Sequence, residues 1–249
     1  MFATSAAHEH KPAARRCTEL AGGQCQEHVT MMAEPPQSPV TEAVRSLEVR
    51  WIFPGELEPA VAGWFGRFPA TTESREDTYL LDPQLRGLSV KVRGGVALEV
   101  KVYRGSPGIL DLAGRARGRM ESWQKWSFPI APLSPYSGDL PGWRPVRKTR
   151  RISWFSLASG PVATQAPGLG QEPRCAVELT EVRTPSQDWW SLGFEATGPD
   201  DVLRRALQAT AALVFAQAMP RSLEPSPDES RSYMEWLYQR PGAERYADA

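Results

Sequence analysis

Charged residues two positions apart recur through the middle of the chain: Lys91 with Arg93, Glu99 with Lys101, Lys148 with Arg150, and Glu178 with the neutral Thr180. Apolar residues interleave with them, Leu88, Val90 and Val92 around the first pair and Leu98, Val100 and Val102 around the second. Side chains of these types do electrostatic chemistry. A guanidinium grips two phosphate oxygens at once, and an ammonium serves as a compact point charge. Carboxylates hold hard divalent cations. The distribution of charge sharpens this reading. Lys and Arg total 29, as do Asp and Glu, yet residues 86–151 carry fourteen basic residues against four acids. Residues 152–201 carry two against seven. A basic wall beside an acidic wall suits a polyanion bound together with a divalent cation. A solvated sheet face would alternate in the same way, so the pattern leaves two architectures open. Either the charges face water, or they line the lumen of a closed barrel whose outside is apolar.

Several chemistries are excluded by composition. All three histidines, His8, His10 and His28, precede the patterned region, so it holds no Ser-His-Asp triad, Cys-His pair or His-ligated zinc. There is no Gly-rich phosphate loop ending in Lys and no dinucleotide fingerprint. Cys17, Cys25 and Cys175 are too few and too dispersed for a disulfide framework. Without a His to activate it, Cys175 reads as a small buried residue. No stretch approaches the roughly 18 apolar residues of a membrane span, and the start lacks the apolar core of a signal peptide. The sequence predicts a soluble, cytoplasmic protein with no membrane partner. Its oligomeric state is open.

The elements that must position these groups follow from periodicity. Residues 1–44 are rich in Ala, Glu, Gln and Pro without an apolar repeat and predict a disordered tail. Residues 45–219 form the patterned domain. Leu47, Val49, Trp51 and Phe53 alternate with Ser46, Glu48 and Arg50, the period of a strand. A helix is predicted over 56–68, then strands over 77–81, 88–93, 96–103, 118–128, 147–157, 174–183 and 189–197. Gly94-Gly95 predicts a tight hairpin. Pro199-Asp200-Asp201 opens a helix with Val202, Leu203, Ala206, Leu207, Leu213 and Val214 as its expected buried stripe. Residues 220–249 read as a polar tail with one short docking helix over Tyr233–Tyr238. The fold class is α+β.

The series resembles the CYTH superfamily, the triphosphate tunnel metalloenzymes, over residues 46–217. Ser46-Leu-Glu48-Val-Arg50 stands where the family has E-x-E-x-K, and Asp77-Thr-Tyr79 resembles its D-x-Y strand. Lys91-Val-Arg93, Lys101, Arg119-Met-Glu121 and Lys148-Thr-Arg150 follow in the family's order. Leu179-Thr180-Glu181-Val182 and Glu195-Ala-Thr197 each keep part of an acidic motif. The resemblance implies an antiparallel β-barrel or tunnel of about eight strands with flanking helices. It implies phosphate-binding cations at Arg50, Lys91, Arg93, Lys101, Lys148 and Arg150, and Mg²⁺ or Mn²⁺ held by Glu48, Glu121 and Glu195, with Glu178 a weaker candidate. The expected ligand is a triphosphate, a nucleotide or another small polyanion, with metal-dependent hydrolysis of a phosphoanhydride as the associated activity. Ser46, Thr180 and Thr197 lack carboxylates where the family has them, which leaves a non-catalytic polyphosphate-binding module as the alternative. RNA binding, suggested by Trp123, Trp126, Trp143 and Trp154 in the basic segment, is the less favoured reading.

Overall fold

The computed structural model describes residues 43–131, 141–156, 162–164, 172–184 and 186–239. The expected N-terminal tail, its cysteines and histidines, and much of the two Pro- and Gly-rich connections lie outside these residues. Nine strands are present among the described residues: β1 (Val44–Pro54), β2 (Thr71–Leu80), β3 (Leu88–Arg93), β4 (Ala97–Leu112), β5 (Ala116–Pro129), β6 (Trp143–Ser156), β7 (Val162–Thr164), β8 (Arg174–Arg183) and β9 (Asp188–Thr197). Three α-helices accompany them, α1 (Pro59–Phe65), α2 (Asp200–Ala216) and α3 (Tyr233–Tyr238), with one 3-10 turn at Pro83–Leu85. The strand order is β2-β3-β4-β5-β1-β9-β8-β6, and β2 pairs with β6 to close the ring. Every pairing is antiparallel, so the architecture is an eight-stranded antiparallel barrel, with β7 a short addition beside β6.

Closure makes the alternation of β1 decide which side is wet. Leu47, Val49, Trp51 and Phe53 point outward and join Val177 and Leu179 of β8 and Leu192 and Phe194 of β9 in the main apolar core. The helices cover that outer face. Leu203, Leu207 and Val214 of α2, and Val61, Trp64 and Phe65 of α1, are buried in the same cluster, whereas Val202 is only half-buried and Leu213 is exposed because both lie at the margin of the contact stripe. The intervening residues, Ser46, Glu48 and Arg50, therefore face the lumen. This inverts the usual soluble sheet protein, which keeps oil inside and charge outside.

Two strand boundaries differ most from the sequence expectation. Strand β2 begins at Thr71, six residues earlier than the apolar pattern signals, because its lumen-facing Glu73, Arg75 and Asp77 are charged and its outward Thr72, Ser74 and Glu76 are polar and exposed, so neither face is apolar. Strand β4 runs on to Leu112, past register shifts at Gly105 and Gly108, whose φ angles of 114° and 118° suit only glycine. The expected Gly94-Gly95 hairpin is present, with φ positive at both residues, as a type I′ geometry needs.

After α2 the chain returns to the barrel. Beyond Glu48, β1 keeps its pairing with β9 but no longer pairs with β5. Residues 225–231 enter the gap between them. The Ile52 amide donates to Glu229 O at 3.0 Å and the Arg231 amide to Arg50 O at 3.1 Å on the β1 side. On the β5 side, the Arg117 amide donates to Pro225 O at 2.8 Å and the Arg119 amide to Ser230 Oγ at 2.8 Å. The backbone groups that strand divergence would orphan are thereby satisfied. Ser232 then starts α3 with a reciprocal capping box to Glu235. Met234, Trp236 and Leu237 pack on Ile52, Tyr79, Val146 and Val182 in a second apolar cluster. That cluster floors one end of the lumen.

Candidate functional site

Above this floor lies a cavity of about 90 Å³, room for several waters. Eight cationic and four carboxylate side chains line it. Arg50 arrives from β1, Lys91 from β3, Lys101 from β4, and Lys148 and Arg150 from β6, so five of the six cations expected from the sequence converge on one space. The sixth, Arg93, does not reach it. Its side chain is 40% exposed and bridges Glu99 at 3.2 Å and Glu73 at 3.9 Å. Period two puts Arg93 on the same face as Lys91, but one step nearer the β3–β4 hairpin, away from the floor.

Glu178 of β8 anchors the two guanidinium groups. Arg50 Nη2 lies 3.3 Å from one of its oxygens, and Arg150 Nη2 donates to the other. Burial pushes the Glu178 carboxyl up, but Arg150 and Arg50 outweigh it and hold the group well below the usual carboxylate range. Gly193 of β9 sits directly opposite both Arg50 and Glu178.

A second node was not singled out as a site residue in the sequence. Asp77 of β2 is completely buried. It accepts from Arg75 Nε at 2.8 Å and Lys91 Nζ at 3.2 Å, with Lys148 Nζ at 3.4 Å. Desolvation opposes its ionisation, yet Lys91 and Lys148 depress its pKa far below normal. Glu99 is held down in the same way. Burial raises it, while Lys91, Lys125 and Arg93 bring it to about 2.

Lys148 is the most enclosed cation, with its side chain 3% exposed. Its ammonium donates to Tyr79 Oη at 2.6 Å and lies 3.8 Å from the centre of the Tyr233 ring. Desolvation dominates here and lowers its pKa despite Tyr79 and Asp77. The Tyr233 ring also lies 4.7 Å from the Arg50 guanidinium, so the C-terminal segment supplies an aromatic face to two of the predicted cations. In sequence, Tyr233 is marked only as the start of the short docking helix, and Arg231, which also lines the cavity, only as part of the polar tail.

The three acids expected to hold a metal share one row across three strands. Glu48 is the direct partner of Glu121 on β5 and of Glu195 on β9. Their all-oxygen donor set suits Mg²⁺ or Mn²⁺ in kind. Their side chains, however, are otherwise engaged. Lys101 Nζ lies 2.6 Å from Glu48 and 3.6 Å from Glu195. Glu121 faces Arg119 at 2.7 Å and accepts from Trp123 Nε1 at 3.2 Å, and burial raises its pKa. Among the described residues no three acids converge on one metal position. The arrangement does not fit a divalent ion.

The remaining features are accounted for by packing. Cys175 is buried and desolvation pushes its thiol up to about 12, so it is unreactive. Trp190 stacks on Phe53 with centroids 4.1 Å apart. No helix of the described residues is long and apolar enough to cross a membrane.

No protein-family model matches the chain, and no curated protein matches it in sequence. Among solved structures it is similar to the S. pombe Pct1 RNA triphosphatase in complex with the Spt5 CTD, at 13% identity over 72% of this chain and 82% of that one, with a TM-score of 0.37. A second structure of the same S. pombe enzyme matches at 12% identity over 72% and 81%, with a TM-score of 0.34.

Proposed function

We propose that the chain binds a triphosphate, or another short polyphosphate group, in the barrel cavity. The observation that supports this most is the convergence of Arg50, Lys91, Lys101, Lys148 and Arg150 from four strands on one water-accessible space. Cations gathered this way repel one another, and the lumen offsets that repulsion with Asp77, Glu99 and Glu178. Phosphate oxygens entering the cavity take over contacts that carboxylates now make, with each arginine gripping two oxygens and each lysine one. Isothermal calorimetry with tripolyphosphate, against sulfate and monophosphate at equal ionic strength, tests the reading. Tripolyphosphate binds at least a hundredfold tighter than sulfate if the site is built for it. Equal affinities would sink the proposal.

Hydrolysis of the bound anhydride is a second reading, and it requires a divalent ion to displace the Lys101 ammonium from the row of Glu121, Glu48 and Glu195. Phosphate release from tripolyphosphate, ATP and thiamine triphosphate with Mg²⁺ or Mn²⁺ present separates an enzyme from a binding module. The absence of turnover with all three removes the enzymatic version and leaves binding intact.

A further inference from the structure

We infer that the Lys101 ammonium takes the place of a divalent cation in this barrel, so that anion binding at the site is independent of metal. The inference rests on the anion-binding reading above and departs from the metal dependence that the resemblance implied.

Glu48 and Glu195 are directly opposed across β1 and β9, an arrangement in which two like charges repel unless a cation sits between them. Lys101 reaches them from β4 and places its ammonium 2.6 Å from the first and 3.6 Å from the second. Its side chain is 18% exposed, so water screens the contacts weakly. Burial works against its charge, but Glu195 and Glu48 outweigh burial and keep it protonated above the usual lysine range. Lys125 adds a second ammonium 4.0 Å from Glu195.

The remaining oxygen contacts close around this ammonium. Ser46 Oγ donates to the same Glu48 oxygen at 2.7 Å. Ser46 pairs in register with Thr197, so the next pair along β1 and β9 on this face, away from the floor, is uncharged and supplies no carboxylate. Two carboxylates balanced by two ammonium groups leave no negative charge for an ion of charge two. Such an ion would also sit within a few ångströms of the Lys101 ammonium. Lys101 instead offers three N–H donors, and a phosphate oxygen can take the place of either glutamate.

Two measurements decide this. Tripolyphosphate affinity is measured on the full chain by calorimetry, once in EDTA and once with Mn²⁺-saturated ligand. Mn²⁺ uptake without anion is followed by the loss of the free-ion electron paramagnetic resonance signal, for the wild type and for Lys101→Gln. The inference expects affinities within threefold of each other in the two buffers, no stoichiometric Mn²⁺ uptake by the wild type, and uptake of one Mn²⁺ per chain by Lys101→Gln. A tenfold or larger loss of affinity in EDTA overturns it. So does one Mn²⁺ bound per wild-type chain, or a folded Lys101→Gln that takes up none. If Lys101→Gln does not fold, the wild-type measurements decide alone. If tripolyphosphate binds in neither buffer, the anion-binding reading has failed, and the Mn²⁺ comparison still judges the role of Lys101.

Discussion

The Arg50 guanidinium lies over Gly193, its direct cross-strand partner, so closely that a Cβ at Gly193 would meet Arg50 Cζ and Nη1 at 2.7 Å. The missing side chain is what lets the guanidinium lie flat and reach Glu178 and Ser191. Gly193→Ala should displace a flexible side-chain tip rather than backbone. The expected outcome is a folded protein whose melting temperature shifts by a few degrees and whose tripolyphosphate affinity falls about tenfold, the scale of one lost charge-assisted contact. Gly118→Ala is the contrast, because its Cβ would strike the Trp51 ring at 2.7 Å in the apolar core. Overpacking there costs about 1–3 kcal/mol of stability. Unchanged affinity in folded Gly193→Ala would show that the Arg50 pose is irrelevant to binding.

Asp77→Asn removes the charge that three buried or half-buried cations share. Leaving buried charge uncompensated costs about 3–5 kcal/mol. A polyanion should restore part of it, so tripolyphosphate raises the melting temperature of Asp77→Asn by more than it raises that of the wild type. Equal shifts would mean that the anion does not meet Lys91 and Lys148.

Acid should destabilise the fold in a defined window. The folded-state pKa of Glu99 is depressed from 4.5 to about 2, and those of Asp77 and Glu178 are depressed further. Between these values and the unfolded ones, the unfolded chain binds more protons than the folded chain. Stability is therefore full above about pH 5 and is lost as pH falls toward 2. Glu99 alone contributes about 3 kcal/mol. Glu121, raised by burial, works in the opposite direction over its own range. Urea midpoints at pH 7, 5, 4 and 3 should decline across the last three. A flat series refutes the lumen electrostatics.

Lys148 and Arg93 should differ in their effect on binding although both sit in basic strand pairs. Lys148→Ala, deep in the cavity, is expected to weaken tripolyphosphate binding at least tenfold. Arg93→Ala, outside the lining, is expected to change it by less than threefold. Because the Lys148 pKa is lowered, its proton leaves at a lower pH than an ordinary lysine's. Wild-type affinity should accordingly fall with rising pH at a lower pH than an ordinary lysine would dictate, and Lys148→Ala should lack that limb. An identical pH profile in the variant contradicts the assignment.

Much of the barrel was legible because its outer face obeys the ordinary apolar alternation. In β1, the residues Leu47, Val49, Trp51 and Phe53 announce the strand, and the intervening Glu48 and Arg50 are then forced inward by closure. The early part of β2 carries no such signal because neither face is apolar: Glu73, Arg75 and Asp77 are charged inward, and Thr72, Ser74 and Glu76 are polar outward. Spacing also says which face a residue shares but not its depth, which is why Arg93 could not be separated from Lys91. Asp77 was visible as part of a D-x-Y pattern, yet its role as the hub of three cations depends on β3 and β6 lying on either side of β2. The placement of Tyr233 depends on residues 225–231 filling a gap between β1 and β5, a contact spanning more than 100 residues that no local period encodes.

That gap filling dictates an order of assembly. Until residues 229–231 have been synthesised, Arg50 and Ile52 hold backbone groups on one strand edge with nothing to pair them, and the apolar floor around Ile52 and Val146 stays open. A nascent chain that has already made all nine strands is consequently an incomplete vessel, with a sticky edge and a leaking base. The β1–β9 pairing itself spans roughly 140 positions, a long-range contact of the kind that slows folding and leaves a half-built form exposed to aggregation.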